Sequence, residues 1–248
     1  MSTHIDSPAN PTVKGLAGLH KRRHRDAEQR YLVEGRREVE RAVAAGVVEQ
    51  LLISPDLGAE IPSSGSVLTL SEAAFARLSV RRHPDGYAAV AAHAPLGLDR
   101  IAGLTAVLVA EAIEKPGNLG AMLRTAEALD AGMLLADPAT DLFNPNVVRA
   151  SQGSLFTVPI ARSSAREARE WLEERMQVVV ARPDGTRAPW EFDLVPPTAV
   201  VVGAEHAGVS STWSDTPSIA VPMGGTVDSL NTSVAAAIVL YELRRQRS

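Results

Sequence analysis

Apolar residues recur along this chain with two periods, and the period changes from segment to segment. Val48–Ile53, Val67–Leu70 and Tyr87–Ala92 read as short strands, the first stopped by Ser54-Pro55. Between them, Ser71 predicts an N-cap for a helix through Leu78, and His83-Pro84-Asp85-Gly86 predicts a turn. Residues 30–45 carry a helical spacing that sets Val39, Ala42 and Val43 on one face. Residues 1–12 are polar and proline-containing, the pattern of a mobile end. After the connection 95–100, a continuous apolar run at 105–110 predicts a buried strand. Helices are then expected at 119–131, 144–151, 165–176 and 232–245, and strands at 133–136, 157–160, 178–181, 199–203 and 219–221. The last helix repeats Val234, Ala237, Ile238 and Tyr241 at helical spacing. The fold class is therefore α/β: a compact unit over 1–95, then a unit over 102–248 with a mainly parallel sheet between helices.

Composition narrows the classes. The chain has 248 residues, 45% of them hydrophobic, enough to bury a sizeable core. No apolar run reaches membrane-spanning length, and Met1-Ser-Thr-His-Ile-Asp lacks the basic and apolar regions of a signal peptide. Cysteine is absent, which excludes disulfides and thiolate chemistry and fits a cytoplasmic protein. No metal is expected. Aromatics make up 4%, which argues against extended base-stacking platforms.

Net charge is −4, but the basic residues are uneven. Lys14, Lys21, Arg22, Arg23, Arg25, Arg30, Arg36 and Arg37 cluster early, with His20 and His24 among them. Two readings fit this cluster: a patch that neutralises phosphates, or a solvated face balanced by Asp26, Glu28, Glu34 and Glu38.

Four segments carry candidate chemistry. In residues 111–126, at a strand end, Gly117 and Gly120 suit close backbone approach. There Asn118 suits a cap, and Arg124 lies one to two turns into the helix. Neither the dinucleotide fingerprint nor the P-loop pattern is present. In residues 144–154, Asn144-Pro145 starts a short helix that projects Arg149. Residues 201–210 run from a strand through Gly203 to Glu205, with His206 beside it. Residues 221–241 run from Val221-Pro222-Met223 through a glycine pair and Asp228-Ser229-Leu230-Asn231 into an apolar helix. Backbone amides freed there, with Ser229 and Asn231, suit a pocket for a polar small molecule. Both polar side chains also suit helix capping.

These segments, in this order, resemble the sequence motifs of the SpoU (TrmH-like) RNA ribose methyltransferases. Asn118, Gly120, Arg124, Thr125 and Ala126 match N-x-G-x-x-x-R-T-A, and residues 144–154 match N-P-x-V-x-R-A-S-x-G. Gly203 to Ser210 resembles G-x-E-x-x-G-(L/V)-S, and 221–235 resembles the last motif, I-P-M-x-G-x-x-x-S-L-N-x-S-x-A. Tyr31 to Ala42 resembles the ribosomal-protein-like, RNA-binding extension of many such enzymes.

The resemblance implies an S-adenosylmethionine-dependent enzyme that methylates a ribose 2′-hydroxyl in RNA. It assigns catalysis to Asn118, Arg124, Glu205, Ser229 and Asn231. It assigns cofactor binding to Gly203, Glu205, Val221, Met223, Ser229 and Leu230. Arg149 would contact RNA, and Arg22, Arg23 and Arg36 in the basic cluster would join it. The resemblance also implies a trefoil knot in the C-terminal domain and a homodimer. Ribosomal RNA is the expected substrate, with transfer RNA as the alternative. A non-catalytic RNA-binding relative and a nucleotide-dependent metabolic enzyme are the competing classes.

Overall fold

The structure is a computed structural model and describes residues 3–63 and 65–248. Met1 and Ser2, part of the end expected to be mobile and free of a signal sequence, lie outside the described residues. By internal contacts the chain forms two compact units, Met1–Ala94 with Asp141–Phe156, and Pro95–Thr140 with Thr157–Ser248.

The first unit contains β1 (Thr3–Ile5), α1 (Pro11–Gly18), α2 (Arg22–Glu28), β2 (Arg30–Glu34), α3 (Arg36–Ala44), β3 (Val48–Ile53), β4 (Val67–Leu70), α4 (Glu72–Ala76) and β5 (Tyr87–Ala92). Its sheet has the order β1-β4-β3-β5-β2. The β1/β4 and β3/β4 pairs are parallel, while β3/β5 and β2/β5 are antiparallel. Leu19, Leu52, Leu70 and Phe75 fill the core.

Two expectations fail here. The described part of the supposedly mobile end is ordered. Residues 3–5 add a strand to the sheet edge, and Asn10 caps α1 by accepting the Thr12 N–H at 2.8 Å, with Pro11 opening the helix. The predicted helix 30–45 is a strand followed by a shorter helix. Tyr31, Leu32 and Val33 are all buried, as an aromatic and β-branched run in a sheet prefers. Gly35 then takes φ +107, a conformation closed to most side chains, and its missing Cβ leaves room for Arg81 and Glu38. Val39 and Ala42 form the buried face of α3, whereas Val43 is exposed.

The second unit contains β6 (Ala106–Glu111), α5 (Pro116–Ala128), β7 (Gly132–Ala136), β8 (Ile160–Ser163), α7 (Ala165–Glu173), β9 (Gln177–Ala181), β10 (Thr198–Val202), β11 (Ser218–Ile219) and α8 (Thr232–Gln246); α6 (Pro145–Ser151) groups with the first unit. All strand pairs are parallel, in the order β11-β9-β10-β6-β7-β8. Val107, Val109, Leu134, Val201 and Trp213 are fully buried in its core. From β6 the chain builds outward through β7 and β8, then returns to fill the other side. Strand order therefore reverses between β6 and β10, and ligands of open parallel sheets bind beyond the strand ends at such a point.

Most predicted elements of this unit are present with shifted ends. The strand expected at 157–160 lies at 160–163. Pro159 has no N–H to give a ladder, and its carbonyl instead accepts from Met133 N–H at 2.9 Å. The repeat Val234, Ala237, Ile238 and Tyr241 does not mark the buried face of α8. Ala236, Val239, Leu240 and Leu243 are buried, while Val234, Ile238 and Tyr241 are 47%, 37% and 63% exposed. Residues 234–241 are apolar all the way round, so periodicity alone does not choose the buried side.

Candidate active site

β10 ends at Val202 and hands the chain to Gly203, which packs so closely on the Gly208 backbone that no Cβ fits. The loop doubles back through an antiparallel bridge between Ala204 and Gly208, with Gly208 at φ +66. This hairpin puts Glu205 at its corner.

Asn118 meets Glu205 from the first turn of α5. The sequence suggested that Asn118 caps this helix, but Lys115 occupies the cap and Pro116 opens the helix. The Asn118 side chain is thereby free to act sideways. Its Nδ2 donates to Glu205 Oε1, and its Oδ1 accepts from Asn231 Nδ2 at 3.1 Å. Asn231 in turn caps α8, its Oδ1 accepting from Ser233 N–H at 3.0 Å and Ser233 Oγ–H at 2.7 Å. The capping role and the site role expected for Asn231 therefore coexist. Thr232 Oγ–H donates to the Gly203 carbonyl at 3.1 Å, tying the start of α8 to the end of β10. Glu205 Oε2 is buried without a hydrogen-bond partner among the described residues. A buried carboxylate oxygen without a donor is costly, and the arrangement leaves it available to one more donor.

Other predicted residues are not joined to this chain of bonds. Arg124 is exposed on α5 and makes no hydrogen bond or ion pair among the described residues. Six residues separate it from Asn118, about 9 Å along the axis and about a third of a turn around it. Ser229 is exposed and makes no hydrogen bond; Val221, Met223 and Leu230 are half-buried. Residues 221–230 as a group form no hydrogen bond among the described residues. Most of this stretch is exposed, so its backbone donors and acceptors are open to water or to a polar ligand alike. Gly117 faces open space, so no close approach explains it. His206 is exposed.

The basic candidates lie in the first unit. Arg22 and Arg23 are exposed on α2, and Arg22 pairs with Asp26 at 3.4 Å. Arg36, Arg37, Arg81, Arg149 and Gln152 line an open cleft of about 700 Å³ together with three carboxylates, Glu38, Glu40 and Asp85. Arg36 pairs with Glu40 at 2.8 Å, whereas among the described residues Arg37 and Arg149 reach only neutral acceptors, Gln152 at 3.3 Å and Asn146 at 3.4 Å. Arg25 does not belong to an RNA-facing cluster. It is 2% exposed, donates to the Leu19 and His20 carbonyls, and forms an ion pair with Asp141. Arg30 pairs with Glu49 at 2.7 Å.

Sequence reasoning missed Glu111 and Ser210 as partners. Both Glu111 oxygens accept from Ser210, one from its N–H at 2.8 Å and one from its hydroxyl at 2.6 Å. A carboxylate ending a wholly apolar strand run was the available signal.

Residues 105–241, which hold Asn118, Glu205 and Asn231, match the SpoU rRNA methylase family. The chain belongs to the SpoU rRNA methylase family. Residues 10–89 separately match an MRM3-like substrate binding domain, in line with the resemblance of the N-terminal unit. Among SpoU relatives, a 23S rRNA (guanosine(2553)-2′-O)-methyltransferase of Bacillus subtilis is 34% identical over 97% of this chain and 98% of its own. A 23S rRNA (uridine(2479)-2′-O)-methyltransferase of Streptomyces viridochromogenes is 39% identical over 53% of this chain and 50% of its own. The AdoMet-bound rRNA methyltransferase of Sinorhizobium meliloti superposes with a TM-score of 0.89 at 28% identity, covering 98% of each chain.

Proposed function

We propose that this chain transfers a methyl group from S-adenosylmethionine to a ribose 2′-hydroxyl of 23S ribosomal RNA. The observation that carries the reading is the hydrogen-bonded series Asn231–Asn118–Glu205. It joins three separate family motifs at the strand-order reversal of a parallel sheet. The full-length relative acts on 23S rRNA and the Sinorhizobium relative binds the methyl donor, which supports both halves of the reading. Transfer RNA as substrate is not favoured by any observation in the first unit.

The residues fit the donor. The Gly203–Gly208 contact, the unbonded backbone of 221–230 and the unpartnered Glu205 Oε2 support the reading of a cradle for a polar molecule. Gly203, Glu205, Val221, Met223, Ser229 and Leu230 would hold it. When bound, it supplies an electrophilic methyl group on a sulfonium. Asn118, locked from both sides, keeps its amide in one orientation, and Glu205 presents its second carboxyl oxygen from a fixed position. Arg124 offers a planar guanidinium rather than a base, so its role is to orient the hydroxyl and stabilise the charge that develops on its oxygen. Ser229 lies on the same loop and would contact donor or ribose.

Arg22, Arg23, Arg36 and Arg149 would contact RNA phosphates. Arg149, which pairs with no carboxylate among the described residues, lines the open cleft with Arg37. The homodimer expected of the family is supported by the exposed apolar stripe Val234–Ile238–Tyr241 on α8. The trefoil-knotted course belongs to this reading as what the family resemblance implies. No described helix is long and apolar enough to cross a membrane, and we place the enzyme in the cytoplasm, where its substrate is.

The test is to map ribose methylation on 23S rRNA from cells with and without the protein, then restore the mark in vitro with S-adenosylmethionine. One site should disappear and return. An unchanged map, with no donor binding by calorimetry, would leave only the binder or metabolic reading.

A further inference from the structure

Glu111 closes β6, a central strand of the parallel sheet, and is 1% exposed. Burying an ionised carboxylate is expensive unless it is paired or hydrogen-bonded. Glu111 forms no ion pair among the described residues, and both its oxygens are taken by Ser210. Immediately after it, Ala112 adopts φ +51, a left-handed conformation uncommon for alanine. A costly charge and a strained residue therefore stand together where β6 delivers the chain toward Asn118.

Ser210 is the far end of the loop that carries Glu205. The near end is held by β10 and by the bond from Thr232 to the Gly203 carbonyl. Between them the Ala204–Gly208 bridge leaves Glu205 little freedom. On the returning arm, Val209 packs against the sheet core and Trp213 is buried in it, and Glu111 adds a polar hold at Ser210 between them. Its grip is charge-assisted on both oxygens, the stronger class of hydrogen bond. The Ser210 hydroxyl also accepts from Thr212 N–H at 3.3 Å, so Ser210 cannot turn away without losing a second bond.

We propose that Glu111 is a positioning residue for methyl transfer: by clamping Ser210 it sets the 203–210 loop so that Gly203 and Glu205 meet donor and Asn118 in one arrangement. This role rests on the methyltransferase reading above. Glu111 itself acts only through the loop and need not touch either substrate.

The test compares wild type with Glu111→Gln, Ser210→Ala, Ser210→Thr and the Glu111→Gln/Ser210→Ala double variant. S-adenosylmethionine binding is read by calorimetry, methylation by steady-state kinetics on 23S rRNA, and folding by thermal melts. Glu111→Gln can keep one oxygen on the Ser210 N–H, but it turns an amide donor on the Ser210 hydroxyl and takes the carboxylate's second acceptor away. It should weaken donor binding by about tenfold or more and lower kcat, with KM for RNA unchanged. Ser210→Ala keeps the backbone bond and should fall between it and wild type, while Ser210→Thr should restore both. The double variant should be no worse than Glu111→Gln alone, as two ends of one clamp require. Wild-type donor affinity and kcat in Glu111→Gln, with only the melting temperature lowered, would overturn the role. If Glu111→Gln fails to fold, Ser210→Ala decides by the same criterion. Wild type that binds no donor removes the methyltransferase reading, and this role with it.

Discussion

The carboxamide of Asn118 is held between two residues, donating to Glu205 through Nδ2 and accepting from Asn231 through Oδ1 at 3.1 Å. Its orientation is thereby fixed, and a swap of donor for acceptor should be felt at once. Asn118→Asp would set two carboxylates against each other. It should reduce kcat by about a hundredfold or more, the scale seen when a polar group poised at a reaction centre is lost. Asn118→Ala, which adds no repulsion, should be the milder change. Turnover in Asn118→Asp within a few-fold of wild type would mean that this series of bonds does not serve the chemistry.

How much of this was readable beforehand depends on whether a pattern has one physical cause or two. The strands Val48–Ile53 and Val67–Leu70 were legible because alternating or continuous apolar runs end in proline or an N-cap serine. The joining of Asn118, Glu205 and Asn231 was legible only as a shared resemblance, since no spacing rule connects residues 113 positions apart. Residues 30–34 were misread because Tyr-Leu-Val fits a strand or the start of a helix, and the left-handed Gly35 decides. Arg25 looked like one more surface cation. Its burial depends on Asp141, 116 residues away, which composition does not register.

Arg124 stands exposed and without a partner among the described residues, which leaves its guanidinium open to a substrate. Arg124→Ala should remove methylation by about a hundredfold or more while leaving S-adenosylmethionine affinity within a few-fold. Arg124→Lys keeps charge but not the planar fork and should recover little. Single-turnover rates and calorimetry on the same preparations separate the two effects. A parallel loss of donor affinity would move Arg124 from catalysis to cofactor binding.

The Arg25–Asp141 pair makes a stability prediction for a residue that sequence alone groups with RNA contacts. Removing Arg25 strands a largely buried Asp141 carboxylate and frees the Leu19 and His20 carbonyls. Arg25→Ala should cost about 3–5 kcal/mol. Arg23→Ala, at an exposed position of the same helix, should cost less than about 0.5 kcal/mol. Urea titrations of both variants give the comparison. Equal, small losses would show that the buried pair contributes nothing.

His93 stacks on Phe143 with ring centroids 4.0 Å apart, and its Nε2 is buried without a partner. Burial lowers its pKa from the ordinary 6.5, against the opposing pull of Asp141 and Asp26. The unfolded chain therefore binds more protons than the folded one below that value. The contribution of His93 is complete above about pH 6.5 and is lost as pH falls toward the lower folded value. His93→Phe keeps the stack and removes the titration. Its melting temperature should fall less than that of wild type between pH 7 and pH 5.5. Parallel curves for the two proteins over that range would reject the assignment.

Val234, Ile238 and Tyr241 form one stripe along α8, spaced four and three residues apart and turned away from the core. Three large apolar groups in line on a helix face usually meet a partner surface. A second copy of the chain, related by a twofold axis, would bring the same stripe against itself. Tyr241→Glu is the direct probe. Tyr241 is 63% exposed, so the charge should leave the monomer fold and its melting curve nearly intact. Two like charges brought together at a twofold contact should instead drive dissociation, and raised ionic strength should partly relieve it by screening. Sedimentation velocity should then find wild type as a dimer and Tyr241→Glu as a monomer at the same low micromolar concentration. A dimer of unchanged affinity would put the contact on another surface, and a monomeric wild type would leave α8 without the partner its stripe implies.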